Sequence, residues 1–563
     1  MARWTFLFHA HLLFGAATGF QHTPVVHTLG LDPSRTLFRP AVETAPTSTD
    51  PAVCADVCDA MSFHGSPESR RHAMTADDEV GGIDPVAEGD VARFDDEADV
   101  VVVGLGCAGA CAAISASERG LDVVAVERQG APGGTSAMSG GLVYLGGGTP
   151  VQRGCGFDDD ADTMYAFLLA ATAAHGDAAG DRPDLAKLRL YCDESVAHFH
   201  WLTEHGVPFR AAFCDEPNRE SADDSGLVFS GGEDSRPFCD IARPVPRGHK
   251  PRFTDSAGNF LMRCLTDAVA ATATRVTVDA RVERLVVDTV GVVVGVAVRA
   301  DNTTRYIRAR RGVVLATGGF AYNEAMLAAY CPAAMVPNPA WRIGTDADDG
   351  RGIRLGQGAG AASLRLDVFE CALPLGPPHR LCRAILVDRS GRRFVNEDTY
   401  TGRIGWKALM EHDGDVFMVL DESIYERNLL GLRFSFAAET VEELAHDMGV
   451  PEAALATTVA NYNEHAAAGE DPEFGKLPPF VQPLVPPLGA IDLGVARGAI
   501  YATFTLGGLH TDVDGRVLAS DGRAVPGLFA AGRTSASLAA GGYVSGISLG
   551  DGTFFGRRAG AAV

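Results

Sequence analysis

Positive charge is scarce in this chain. Lys and Arg number 48 against 72 Asp and Glu, a net charge of −24 over 563 residues. That balance excludes nucleic acid as the main partner, because phosphate binding needs clustered cations. It also gives no electrostatic reason to concentrate small anionic substrates. Cysteine is sparse too. The twelve cysteines occur singly or at i, i+4 spacing, which supplies neither a disulfide framework nor an iron–sulfur ligand set. A reduced, cytoplasmic protein is expected. Cys54, Cys58, His64 and His72 are close in sequence, but their spacing is not a zinc pattern, and no metal is expected. Long apolar runs are also missing. The best, residues 4–20, is short for a membrane span and interrupted by His9 and His11. No internal repeat is visible.

Up to about residue 73 the chain is rich in Pro, Ser, Thr, His and Ala without sustained periodicity. A cleaved targeting segment, a disordered tail and translated sequence upstream of the true start all fit; a disordered or spurious extension is expected. Between Met74 and Asp99 there are ten acidic residues and one basic one.

Hydrophobic residues make up 46% of the chain, enough for a large core, and the 65 glycines cluster in turns. Residues 99–103, Asp-Val-Val-Val-Val, read as a buried parallel strand. Gly104-Leu-Gly106-Cys-Ala108-Gly109 follows, then a helix over 110–119 and a second strand over 121–126, closed by Glu127 and Arg128. Gly104 permits the tight turn, Gly106 the approach of a pyrophosphate, and Gly109 close helix–strand packing, with the helix N-terminus facing the anion. Glu127, eighteen residues after Gly109, is placed to accept from ribose hydroxyls. Strand, glycine turn, helix, strand and acid in register make a dinucleotide fingerprint.

A glycine–serine loop comes next, Gly133-Gly134-Thr135-Ser136-Ala-Met-Ser139-Gly140-Gly141, suited to a second phosphate and a flavin edge. A strand over 276–278, the segment 281–285 with Val282, a Val-rich hairpin and Ala316-Thr317-Gly318-Gly319 follow. The end of the chain supplies Gly532-Arg533 and Gly541-Gly-Tyr543-Val-Ser545-Gly546-Ile-Ser548-Leu549, a second glycine-rich helix start. A fingerprint completed from the far end of the chain is an FAD pattern.

With these motifs the chain resembles the flavoprotein family of fumarate reductases and 3-ketosteroid dehydrogenases over about 95–563. The resemblance implies an α/β fold: a Rossmann-like FAD-binding domain built from both chain ends with an inserted α+β catalytic domain. The expected division is an extension over 1–90, FAD-binding segments at 91–344 and 496–563, and the insertion at 345–495. The family's covalent flavin histidine has no counterpart in the 133–141 loop, so the FAD is expected to be non-covalent.

The resemblance also implies the catalytic residues. Fumarate reductases use an Arg donor a few residues after an Asn-Glu pair. Here Asn396-Glu397 is followed by Thr401 at that spacing, with Arg403 two residues on. Tyr543 and Ser545 stand where a dicarboxylate enzyme would offer Arg. A hydroxyl-lined pocket leaves carboxylates unneutralised, at several kcal/mol each, so a neutral apolar ketone is the better substrate. Tyr400, Tyr543 and Ser545 resemble the Δ4-(5α) type of 3-ketosteroid dehydrogenase. In that pattern Ser545 takes a proton from carbon 4, Tyr543 and Tyr400 relay it, and flavin N5 accepts the hydride from carbon 5. Backbone N–H groups at 546–548 serve either the 3-keto oxygen or the flavin N1/O2 edge.

Packing is the expected role of Phe369, Phe394 and Phe504, and a structural or surface role that of His249. Tyr144 and Tyr501 are secondary pocket candidates, and residues 158–162 are expected to form a solvated acidic loop. The expected partners are a small apolar ketone, steroid-like, and an external electron acceptor; an apolar substrate is compatible with peripheral membrane association. The rivals are a fumarate or enone reductase running the reverse direction and a flavin-carrying subunit of an electron-transfer complex.

Overall fold

The structure is a computed structural model, and it describes residues 80–173, 184–215, 223–252, 256–335, 342–373, 379–426 and 432–563. The N-terminal extension, with its cysteine–histidine group and its apolar run, lies outside the described residues.

Val-rich runs build the central sheet. Strand Asp96–Val103 lies between Thr303–Leu315 and Val123–Val126, parallel to both, and Arg275–Thr277 extends the sheet beyond Val123–Val126. On the other side Val293–Ala300 and Arg281–Val287 add antiparallel strands, the expected hairpin. The fingerprint strand is buried at every position from Val100 to Val103, as a strand covered on both faces must be. Its helix runs Cys107–Glu118 and starts three residues earlier than the periodicity suggests. Gly109 therefore lies within the first helical turn. A Cβ there would stand 1.9 Å from the Gly104 carbonyl oxygen, so only glycine lets this helix sit against the turn.

The chain returns to this sheet at its end. Strand Ala524–Ala530 pairs in parallel with the C-terminal half of Thr303–Leu315. The last helix, Ile547–Ala562, then lies along Cys107–Glu118. A Cβ on Gly556 would be 2.3 Å from the Ala108 carbonyl oxygen, and one on Gly560 2.1 Å from that of Ala112. Two glycines one helical turn apart thus bring backbone against backbone.

Between the halves of the sheet, strands Ile385–Asp388, Val416–Asp421, Leu488–Asp492 and Phe436–Ala438 form an antiparallel sheet. Helices Thr401–Glu411, Val441–Met448 and Glu452–Ala466 accompany it. Strand Phe369–Ala372 pairs with Ala502–Thr505, tying the entry of this region to its exit. A second small sheet, of two-residue strands between Val143 and His249, was not expected.

The solvated acidic loop at 158–162 needs correction. Asp159 is buried and ion-paired with fully buried Arg247 at 2.7 Å, and accepts from the Gly147 N–H and Gln152 Nε2. Asp160 caps helix Ala161–Thr172 by accepting from the Thr163 N–H. Only the flanking acids are solvated; one carboxylate goes inside because a buried guanidinium waits for it. Among the described residues, no helix is long and apolar enough to cross a membrane, and no His, Cys, Asp and Glu cluster could hold a metal.

Candidate functional site

One cavity runs from the fingerprint to the inserted region. At one end it is lined by Glu127, Arg128 and Val282. Its middle is lined by Gly104, Gly106, Ala108, residues 134–136 and 139–141 of the glycine–serine loop, Ala316, Thr317, Gly318, Gly532 and Arg533. At the other end stand Tyr400, Tyr543, Ser545, Gly546, Ser548 and Leu549. Gly109 of the fingerprint does not line it; its task is the packing described above.

Two helix starts open on this cavity, and in each the N-cap residue is a glycine with no side chain to cap it. Gly106 precedes Cys107–Glu118, and Gly546, at φ +94°, precedes Ile547–Ala562. First-turn N–H groups lack intrahelical acceptors and carry partial positive charge. The Cys107 N–H is met by Ser136 Oγ at 3.2 Å, which fastens the glycine–serine loop to the fingerprint. In that loop Gly134–Met138 forms a short helical turn. Glu127 is buried and accepts from the Leu105 and Gln129 N–H groups, each at 2.8 Å. The carboxylate is thereby fixed at the cavity's edge. Arg128 is held by Asp349 at 2.6 Å. A long glycine-lined cleft with an acid at one end and glycine-capped helix starts along it fits a dinucleotide.

Asp348, which sequence reasoning missed, joins four parts of the wall. It accepts from Thr135 Oγ1 at 2.9 Å, from the Gly319 N–H at 3.0 Å and from Arg533 Nη2 at 2.7 Å. Its own segment, 345–350, is Thr-Asp-Ala-Asp-Asp-Gly, and nothing local distinguishes it from a solvated turn.

The far end carries hydroxyls. The rings of Tyr400 and Tyr543 lie 6.4 Å apart, and Phe504 packs edge-on against Tyr543 at 5.2 Å. Tyr543 donates to Ser548 Oγ at 3.1 Å, and burial pushes its phenol up to about 12. Ser545 is held through its backbone: its N–H donates to the Ser230 carbonyl, and its carbonyl accepts from Ser230 Oγ. Tyr400 donates to Glu370 Oε1 at 3.1 Å. Glu370 also lines the cavity, is buried, and has its carboxyl pushed up to about 8 by that burial. Its sequence signal was a single acid in the apolar strand Phe369–Ala372.

Cations are few here. Arg533 reaches the ring of Phe504 but is committed to Asp348. Arg403 is outside the cavity lining: it donates to the Arg236 carbonyl and stacks on Phe238. His249 is buried between Thr149 Oγ1 and the Arg247 carbonyl, with its imidazole pushed down to about 4 by burial, which is a structural role. Tyr144 donates to Glu233 and Tyr501 to the Leu493 carbonyl, and neither lines the cavity. Phe369 and Phe394 are core residues; Phe504, assigned to packing from sequence, lines the cavity.

Comparison with known proteins agrees with this geometry. The pattern of the FAD binding domain family matches residues 99–549. A crystal structure of the 3-ketosteroid-Δ4-(5α)-dehydrogenase of Rhodococcus jostii RHA1, in complex with 4-androstene-3,17-dione, is similar with a TM-score of 0.81 and 43% identity, over 85% of this chain and 99% of that one. The 3-oxo-5-alpha-steroid 4-dehydrogenase of Comamonas testosteroni is 27% identical over 82% of this chain and 97% of its own length. The NADH:acrylate oxidoreductase of Vibrio harveyi is 28% identical over 83% of this chain, which spans 50% of that protein's length.

Proposed function

The chain belongs to the FAD-binding flavoprotein family matched over residues 99–549, and we propose that it desaturates an apolar cyclic 3-ketone of the steroid class to the 4-ene. The observation that carries this reading is the cavity end formed by Tyr400, Tyr543, Ser545 and Phe504, beside which the guanidinium of Arg533 is already paired with Asp348. A dicarboxylate there would meet hydroxyls, an aromatic ring and a buried acid. Desolvating its charges would cost several kcal/mol each. A neutral ring system instead gains from covering apolar surface. The likeness to two dehydrogenases named for 3-oxosteroids supports the same class.

FAD, when bound, supplies the hydride acceptor. The residues that would hold it, without a covalent bond, are the glycine-capped starts of the two helices, Glu127 and the glycine–serine loop. The chain's own residues supply the rest. Phe504 and the rings of Tyr400 and Tyr543 shape an apolar slot. Backbone N–H groups at 546–548 polarise the ketone or settle charge on the cofactor edge. Ser545 Oγ removes the proton from carbon 4, and the tyrosines carry it away. A serine hydroxyl is a weak base, so the relay and the polarised ketone are both needed.

The test is anaerobic. A saturated 3-ketosteroid added to the holoenzyme should bleach the oxidised flavin band within seconds. A protein that leaves the band unchanged, but whose pre-reduced flavin is reoxidised by fumarate or an enone, would be a reductase.

A further inference from the structure

Behind Tyr400 lies a carboxyl group that the relay has not yet used. Glu370 projects from strand Phe369–Ala372, where it pairs in register with Phe504, and its Oε1 accepts from the Tyr400 hydroxyl. It is 5% exposed and enters no ion pair among the described residues. Space has been made for it. A Cβ on Gly402, the second residue of helix Thr401–Glu411, would stand 2.0 Å from Glu370 Oε1 and 2.4 Å from the Tyr400 ring. That glycine lets the acid and the phenol share one site.

We propose that Glu370 is the positioning residue for Tyr400 and the terminal proton acceptor of its relay, so that its ionisation sets the direction in which the site moves protons. This rests on the dehydrogenase reading above. With Glu370 ionised, the Tyr400 hydrogen points at the carboxylate and the phenol oxygen offers its lone pairs to the cavity. As the carbon 4–hydrogen bond breaks, its electron pair becomes the new carbon–carbon double bond and the hydride from carbon 5 goes to the flavin. The carbon 4 proton enters the hydroxyl relay, Tyr400 receives a proton on its cavity side, and the original Tyr400 proton passes to Glu370. One proton enters and one carboxylate becomes a carboxylic acid, which later releases the proton to water. With Glu370 already protonated, it donates to the phenol oxygen instead. The Tyr400 hydrogen then points into the cavity and the site is poised to give a proton.

The surroundings favour a working ionisation. Among the described residues, the titratable groups close to Glu370 are Tyr400, which precedes helix Thr401–Glu411, Tyr543 from the C-terminal loop and the neighbouring Cys371 thiol, none charged near neutrality. Arg533 lies beyond, against Phe504, and is neutralised by Asp348. Burial raises the carboxyl to about 8, with the Tyr400 hydroxyl and the Cys371 N–H pulling the other way. A buried acid with no ion pair among the described residues, raised by burial and bonded to a phenol in a cleft, marks a proton-handling site.

Two readouts test it on the holoenzyme. The first is an infrared pH titration, which needs no steroid. The wild type should show a protonated carboxyl band that disappears around pH 8 and is missing in Glu370→Gln. Tyr400→Phe, by removing a donor to the carboxylate, should move that midpoint upward. The second is steroid-driven flavin reduction. The wild-type rate should rise up to tenfold per pH unit to a plateau above pH 8. Glu370→Gln should lose that limb and fall by roughly tenfold or more, on the usual scale of proton-transfer contributions. A Gln variant that keeps the limb, or a wild type without the titrating band, overturns the proposal. If Glu370→Gln fails to retain flavin, the Tyr400→Phe midpoint decides. If no ketosteroid reduces the wild type at any pH, the substrate reading fails, and the infrared titration alone judges Glu370.

Discussion

Tyr543 and Ser545 stand two residues apart before the last helix, and both line the cleft. Their hydrogen bonds differ. The Tyr543 hydroxyl is engaged by Ser548 Oγ, whereas Ser545 is fixed through its main chain. Ser545→Ala therefore removes a reacting hydroxyl without disturbing the backbone that places it. Its flavin reduction rate should drop by roughly 10²-fold or more, with flavin content unchanged. Tyr543→Phe should cost a similar factor. Normal turnover in both would remove these residues from the chemistry. Asp348 acts differently. Asp348→Ala would strand the 11%-exposed Arg533 side chain without its partner and release Thr135 and the Gly319 N–H. Breaking such a pair costs about 3 kcal/mol or more. A lowered Tm together with reduced flavin content is expected; a full complement of flavin would show that the Asp348 junction is dispensable.

At the scale of elements, the two ends of the chain meet through glycines. Gly556 and Gly560 face the Ala108 and Ala112 carbonyls at distances no side chain could occupy. Gly560→Leu must push the last helix off the fingerprint helix. Overpacking of this kind costs about 1–3 kcal/mol. Because Ser548 and Leu549 ride on the same helix, flavin retention should fall along with Tm, and an unchanged Tm would contradict the packing. The fingerprint and the C-terminal motif were legible because each task is local: an apolar run, a glycine turn, a helix start. Their meeting was legible only through the resemblance, since nothing in residues 541–560 alone says which helix they touch. The sheet between Val143 and His249 was not legible, because two-residue strands are too short to show alternation. Asp159 and Glu370 were misread or overlooked for a common reason. A buried acid is identified by what faces it, and Arg247 and Tyr400 are 88 and 30 residues away.

For the whole molecule, carboxyls that folding removes from water give stability a definite pH dependence. Burial raises Glu370 to about 8, and partial burial with the Glu233 carboxyl beside it raises Asp234 to about 7. A carboxyl whose folded value lies above its unfolded value binds more protons folded than unfolded. Its neutral form is accommodated at low pH, and stability is lost as pH rises through the folded value. The buried imidazoles His198 and His249 are pushed down, to about 3 and about 4, so they destabilise only on the acid side of an ordinary imidazole. Between pH 6.5 and 8, ranges set by these values, the carboxyls dominate. Tm should decline across that window, and Glu370→Gln should flatten the decline. A Tm that rises with pH there would contradict the assigned burial.

The account as a whole stands on one claim: this cleft takes a proton from carbon 4 of a neutral 3-ketone while the hydride leaves carbon 5. The most direct measurement is a single anaerobic turnover of a saturated 3-ketosteroid carrying deuterium at carbon 5, compared with the same steroid labelled at carbon 1. Slowed bleaching for the carbon 5 label alone, with a 4-ene as product, is the predicted result. Bleaching slowed only by the carbon 1 label, a 1-ene product, or no bleaching with either steroid would contradict it.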